Sequence, residues 1–241
     1  MALGSQPRWT VRPAVGAQVD IDVGLRDYML RIYNYMASGL ALTGIVAYVF
    51  ASSGLYLSLA KTPLIYLVML APFGFVLALS FGINRMQAGT AQALFWLFSA
   101  VMGLSLASVF LLYTGASIAR VFFITAGTFG AMSLYGYTTQ RDLSQFGSFL
   151  MMGLIGIIIA MVVNIFLASS ALQFAISVIG VLVFTGLTAW DTQRIKEMYF
   201  QIDHSDGQLA GKTAIMGALS LYLDFINLFM MLLQLIGVRR D

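Results

Sequence analysis

The chain has 241 residues, of which 60% are hydrophobic and only 10% charged, with a formal net charge of +3. A soluble domain carries about a quarter charged residues, so this composition excludes a water-facing globule and points to a chain that crosses a membrane repeatedly. The lack of cysteine excludes disulfides and thiolate chemistry, the single histidine, His204, argues against a histidine-rich metal site or a Ser/His/Asp triad, and the scattered basic residues leave no nucleic-acid footprint.

Residues 1–19 are polar, with Gly and Pro. They lack the apolar core of a cleavable signal peptide and read as a tail. Residues 20–31 read as a short amphipathic lead-in, so 1–30 is expected to be a cytoplasmic tail and 31–241 a transmembrane domain. A span needs about 20 apolar residues. Seven segments qualify: 33–56, 63–83, 91–113, 116–135, 146–167, 174–190 and 214–238. The sequence therefore predicts an all-α membrane protein of seven transmembrane helices. The tightest connections are expected at 114–115 and 169–170, and the longest at 192–213. No polar stretch is long enough for a second domain, and no inverted repeat is evident. Gly127, Gly130 and Ala131 in the fourth segment, and Gly153 and Gly156 in the fifth, are expected at helix–helix contacts, where small residues allow close approach. Asn164 is expected to hydrogen-bond between helices.

Lys and Arg set orientation. With the N-terminus inside, Arg8, Arg12, Arg26, Arg31, Arg85, Arg141, Arg194, Lys196 and Lys212 fall on the inner side. The outer side receives Lys61, Arg120, Arg239 and Arg240. The excess supports N-in, C-out. The terminal arginine pair argues mildly for a re-entrant seventh segment, whose length favours a full crossing. Arg120 reads as an interfacial anchor.

Asp224 lies in the middle of the seventh apolar segment. An acid at a helix centre is unfavourable by about 2.5–3.5 kcal/mol even on mild insertion scales, and is a candidate functional group by default. At 100° per residue, Thr213, Gly217, Ser220, Asp224, Asn227 and Gln234 fall within an arc of about 100°. Tyr222 points the other way. Such a stripe faces protein or a water-filled cavity. Asp191 ends the sixth segment, just after Thr188, and consecutive segments are expected to be neighbours. Two carboxyls meeting in a dry site share one proton and titrate in two separated steps. Arg85, at the inner end of the second segment, is a candidate counter-charge for Asp191. Alternatively, Asp191 is an interfacial charge beside Arg194 and Lys196, Arg85 an inner-side anchor, and Asp224 a buried structural acid. Ser220, Asn227, Thr188 and Gln234 are candidate cavity-lining residues.

The run Leu221-Tyr222-Leu223-Asp224-Phe225-Ile226-Asn227-Leu228-Phe229, with Trp190-Asp191-Thr192-Gln193 upstream, resembles the Bax-inhibitor family of transmembrane BAX inhibitor motif proteins. Ser80-Phe81-Gly82-Ile83-Asn84-Arg85-Met86 and Leu134-Tyr135-Gly136-Tyr137-Thr138-Thr139 are similar to the same family. The likeness runs from about Asp27 onward, and the short tail and compact loops resemble its bacterial branch. The resemblance implies a central seventh helix surrounded by the other six, and a pH-sensitive calcium leak in a bacterial inner membrane. It implies that Asp191 and Asp224 form the sensor and a weak transit site for calcium, with Arg85 as a latch on Asp191. No resident cofactor is implied; calcium and protons are cargo and signal, and membrane lipid is the surroundings. Some bacterial relatives are linked to a membrane-bound ATP-dependent protease, so an interaction protein acting on such a protease or a stress pathway is the alternative. An enzyme is not expected. An intramembrane aspartyl protease needs Gly-x-Gly before its second aspartate, where this chain has Leu221-Tyr222-Leu223, and no Pro-Ala-Leu follows. A retinal receptor needs a lysine within the seventh span, but Lys212 lies at its mouth.

Overall fold

The computed structural model describes residues 15–202 and 206–240. Residues 1–14 of the expected tail, and His204, lie outside the described residues. Among them are eight α-helices: α1 (Val15–Ser52), α2 (Leu55–Ala60), α3 (Leu64–Gly82), α4 (Ala88–Leu112), α5 (Gly115–Thr138), α6 (Ser144–Leu167), α7 (Ser170–Gln201) and α8 (Gly207–Ile236). All but the six-residue α2 are long and apolar enough to cross a membrane. The chain is an all-α membrane protein with seven such helices.

Helix starts are set by local chemistry. Thr114 caps α5 by accepting from the Ser117 N–H, and Ser169 caps α7 by accepting from the Leu172 N–H. Asp206 accepts from the N–H groups of Gln208 and Leu209 at the start of α8. Each bond satisfies a donor that a helix start leaves orphaned.

Three boundaries differ from expectation. The first span begins earlier than residue 33: Leu25, Tyr28, Met29 and Ile32 are buried at helical spacing, and the apolar stretch of α1 starts at Val23. Asp191 does not end its helix: α7 continues to Gln201, about 15 Å further at 1.5 Å per residue. Ile195 and Tyr199, one and two turns beyond Asp191, are buried and keep the polar extension docked. The long connection expected at 192–213 is consequently mostly helix, with α8 starting at Gly207.

α8 is the most enclosed helix: 61% of its most apolar stretch is buried, against 11–39% in the other six. Its main contacts are with α1, α4, α5 and α7, while α3 packs chiefly on α4 and α6 on α7. The expected ring of six around α8 is thus four principal neighbours and two flanking helices. α8 is one unbroken helix, so it does not turn back on itself. Its tail returns as a short antiparallel pairing: Tyr113 bridges Arg239, and the Arg240 N–H donates to the Leu112 carbonyl at 2.9 Å.

Glycines mediate several crossings, though mostly not the ones expected. A Cβ on Gly136 would collide with the Ala189 backbone of α7, and one on Gly103 with the Thr43 carbonyl of α1. Gly153 does face Val183, but Gly127, Gly130 and Gly156 face open space. The pattern of small residues says which faces can approach closely, not which ones do.

Candidate functional site

α7 and α8 pack along each other and bring Asp191 and Asp224 together. Asp191 is 9% exposed and Asp224 5%. The Asp191 side chain lies beside the Asp224 side chain and near Ser220, one turn from Asp224 on α8. Among the described residues Asp224 Oδ2 is buried with no donor hydroxyl or amide. Two carboxylates cannot bond one another without a hydrogen between them, so this acid–acid contact is closed only when one partner carries a proton.

On the far side of Asp191, Arg194 Nη1 lies 3.8 Å from Oδ1, one turn along the same helix. The guanidinium is half exposed and also sits over the Trp190 ring, 5.4 Å from its centroid. The latch expected of Arg85 is not formed: Arg85 is exposed in the 3₁₀ turn after α3, and among the described residues Arg194 makes the ion pair to Asp191. Asp191 lies well inside the end of α7, and α3 is held against α4 instead.

Two turns before Asp224, Gly217 of α8 admits Ile32 of α1 and Ile195 of α7, both buried. They form an apolar seal at the three-helix junction. Beside Asp191, Thr192 Oγ1 lies 2.9 Å from Ser133 Oγ of α5, and Ser133 Oγ lies 2.5 Å from Tyr33 Oη of α1. These hydroxyls fix α1 and α5 about the helix that carries Asp191.

The other expected lining residues do not share one chamber. Thr188 is fully buried, and its hydroxyl donates to the Phe184 carbonyl of its own helix. Asn227 donates to the Leu223 carbonyl and borders a separate cavity of about 340 Å³ between α3, α4 and α8, with Ser105 and Ser108. Gln234 is exposed near the end of α8, where its Oε1 accepts from Gln173 Nε2 at 2.5 Å and Ser177 Oγ at 3.2 Å. Asn164 of α6 donates to Gln173 Oε1 at 3.1 Å, the interhelical bond expected of it.

Tyr222 carries no functional signal in the sequence. Opposite the polar stripe, it faces protein: it is fully buried, with its hydroxyl 2.6 Å from Thr43 Oγ1 and its ring against Phe95 and Phe98. The partner lies 179 residues earlier in the chain, and a tyrosine in an apolar run carries no signal of such a bond.

Residues 25–241 match the sequence profile described as inhibitor of apoptosis-promoting Bax1. The inner membrane protein YbhL of Escherichia coli is 52% identical over 219 residues, 90% of this chain and 94% of its own length. A Rickettsia prowazekii protein, RP147, is 52% identical over 221 residues, 91% of this chain and 93% of that protein. A Streptococcus pyogenes membrane protein is 34% identical over 219 residues, 90% and 94% of the two chains. A profile match running from α1 to the last residue, with identities this high over nearly full length, makes the chain a member of the Bax-inhibitor family.

Proposed function

We propose that this protein is a pH-sensitive cation leak pathway, calcium among its cargo, gated by the Asp191–Asp224 pair. The observation that carries the reading is the meeting of two buried carboxyls from different helices, with Asp224 Oδ2 lacking any other donor. With one proton, the pair ties α7 to α8. With none, two negative charges face each other in a weakly screened interior and push the helices apart. The apolar seal of Ile32 and Ile195 then loosens with α7. Arg85 remains in this proposal as a closing charge in a state where α3 approaches α7.

A calcium ion takes six to eight oxygens. Among the described residues no third acid or histidine joins the two aspartates, so the pair with Ser220 makes a weak ligand set, suited to transit because conduction requires escape. The pair carries no catalytic turnover in this reading. The name of the Escherichia coli relative and the Lys/Arg distribution support placement in a bacterial inner membrane with the N-terminus inside.

The test is calcium flux into vesicles containing only the purified protein. Wild type should show flux that changes between acid and neutral pH, and Asp191→Asn and Asp224→Asn should each remove that dependence. A pH response surviving unchanged in both variants would falsify the gate. A pure protein that passes no calcium at any pH would favour the competing role, an interaction protein acting on a membrane protease.

A further inference from the structure

α1 and α5 both lean on α8, but they do not close on one another along their length. Their hydroxyl contact, Tyr33 to Ser133, sits beside a trough. One stretch, about 570 Å³, is bordered by Arg26, Met36, Phe129 and Gly130. The next, about 580 Å³, is bordered by Ala37, Gly44 and Ala126, with Phe225 of α8 among its lining residues. Met36 and Phe129 border both, so the two adjoin end to end.

Small side chains facing each other leave this space. A Cβ added to Gly44 or Gly130 would meet nothing within 4 Å. From Arg26 to Gly44 the trough follows α1 for about 27 Å at helical rise, comparable to the hydrocarbon core of a bilayer. A single acyl chain is long and thin enough to lie along it.

The trough is apolar except at one end. Arg26 stands there, and among the described residues no carboxylate pairs with it. Tyr137 also borders that end. It carries Lys196, whose Nζ donates to the Tyr137 carbonyl at 2.8 Å and lies 5.4 Å from the ring centroid. Two cations at the head of an apolar channel complement a molecule with an anion at one end and hydrocarbon at the other.

We propose that the α1–α5 trough binds an anionic phospholipid, its phosphate at Arg26 beside Lys196 and an acyl chain running past Met36 and Phe129 onto Phe225. Neither Asp191 nor Asp224 borders the trough.

The full-length protein is purified in mild detergent from vesicles of phosphatidylglycerol and phosphatidylethanolamine, and retained lipid is measured by native mass spectrometry. Wild type should hold phosphatidylglycerol preferentially. A Gly44→Leu/Gly130→Leu double variant, which adds side chains to open space and improves helix propensity, should retain at least fivefold less with an unchanged circular dichroism spectrum. Arg26→Gln should lose the preference for phosphatidylglycerol. Equal retention in the double variant, or an unchanged preference in Arg26→Gln, overturns the assignment. Should the double variant not fold, a photoactivatable acyl chain on the wild-type protein decides: crosslinks to α1 and α5 along the trough are expected. Crosslinks confined to other helices, or a second copy of the chain crosslinked across Gly130, refute it.

Discussion

A carboxyl placed where only another carboxyl can answer it makes a specific demand on its substitutes. Asparagine is nearly isosteric with aspartate but brings two N–H donors. Asp224→Asn therefore offers Asp191 a permanent hydrogen bond where wild type depends on a proton. We expect this variant to unfold at a higher temperature than wild type in detergent at neutral pH, by the equivalent of about 1 kcal/mol. Asp224→Ala leaves Asp191 buried beside a void and should unfold at a lower one. Thermal denaturation of the three proteins in parallel checks the order; an asparagine variant less stable than the alanine one would remove the acid–acid contact from the account. The two acids were legible from sequence because a charge within an apolar run has few tolerable settings. Thr188 and Gln234 shared their faces but not their surroundings. Helical periodicity gives the direction in which a side chain points, but whether a cavity, a carbonyl or solvent meets it is settled by other helices.

α3 shows how one helix repairs another. Pro72 lies inside α3 and is buried. It has no N–H for the carbonyl four residues back, which belongs to Val68. Ser105 Oγ of α4 donates to that carbonyl at 2.5 Å. In a membrane such a freed carbonyl has to be satisfied from within the protein. Ser105→Ala should destabilise the fold by about 1–3 kcal/mol, the desolvation of an unpaired buried acceptor. The same change in a Pro72→Ala background should cost almost nothing, because the restored amide takes the bond. A double-mutant cycle by denaturation reads this directly, and additive losses would show that Ser105 acts elsewhere. Apolar length placed all seven crossings from the sequence. It stopped too early on α7, since Arg194, Lys196 and Glu197 ended the hydropathy signal while Ile195 and Tyr199 still held their buried face. It could not show that Gly130 borders open space and Gly136 a backbone, because both lie in the same apolar helix and only the position of α7 distinguishes them.

For the whole molecule, the proposed arrangement of seven crossings, N-terminus inside, puts the two ends of the chain on opposite sides of the membrane. The chain has no native cysteine, so single introduced thiols report sidedness without background. In intact spheroplasts, Arg240→Cys should react with a membrane-impermeant maleimide. Gln140→Cys, in the α5–α6 connection, should react only after the membrane is opened. The reverse pattern would invert the topology and place the trough's cationic end in the outer leaflet.

α8 is moored at both ends. Near its start, Gln208 Oε1 accepts from the Ala88 N–H at the head of α4. Beyond its last turn, the Val238 N–H donates to Ser117 Oγ, and the Thr114 N–H to the Val238 carbonyl. A helix fastened this way cannot slide along its own axis without breaking one mooring or the other. In the proposed gate Asp224 is therefore the stationary electrode of the pair. The stroke that separates the carboxyls in that proposal belongs to α7, which carries Asp191 and has α6 as its outboard rider.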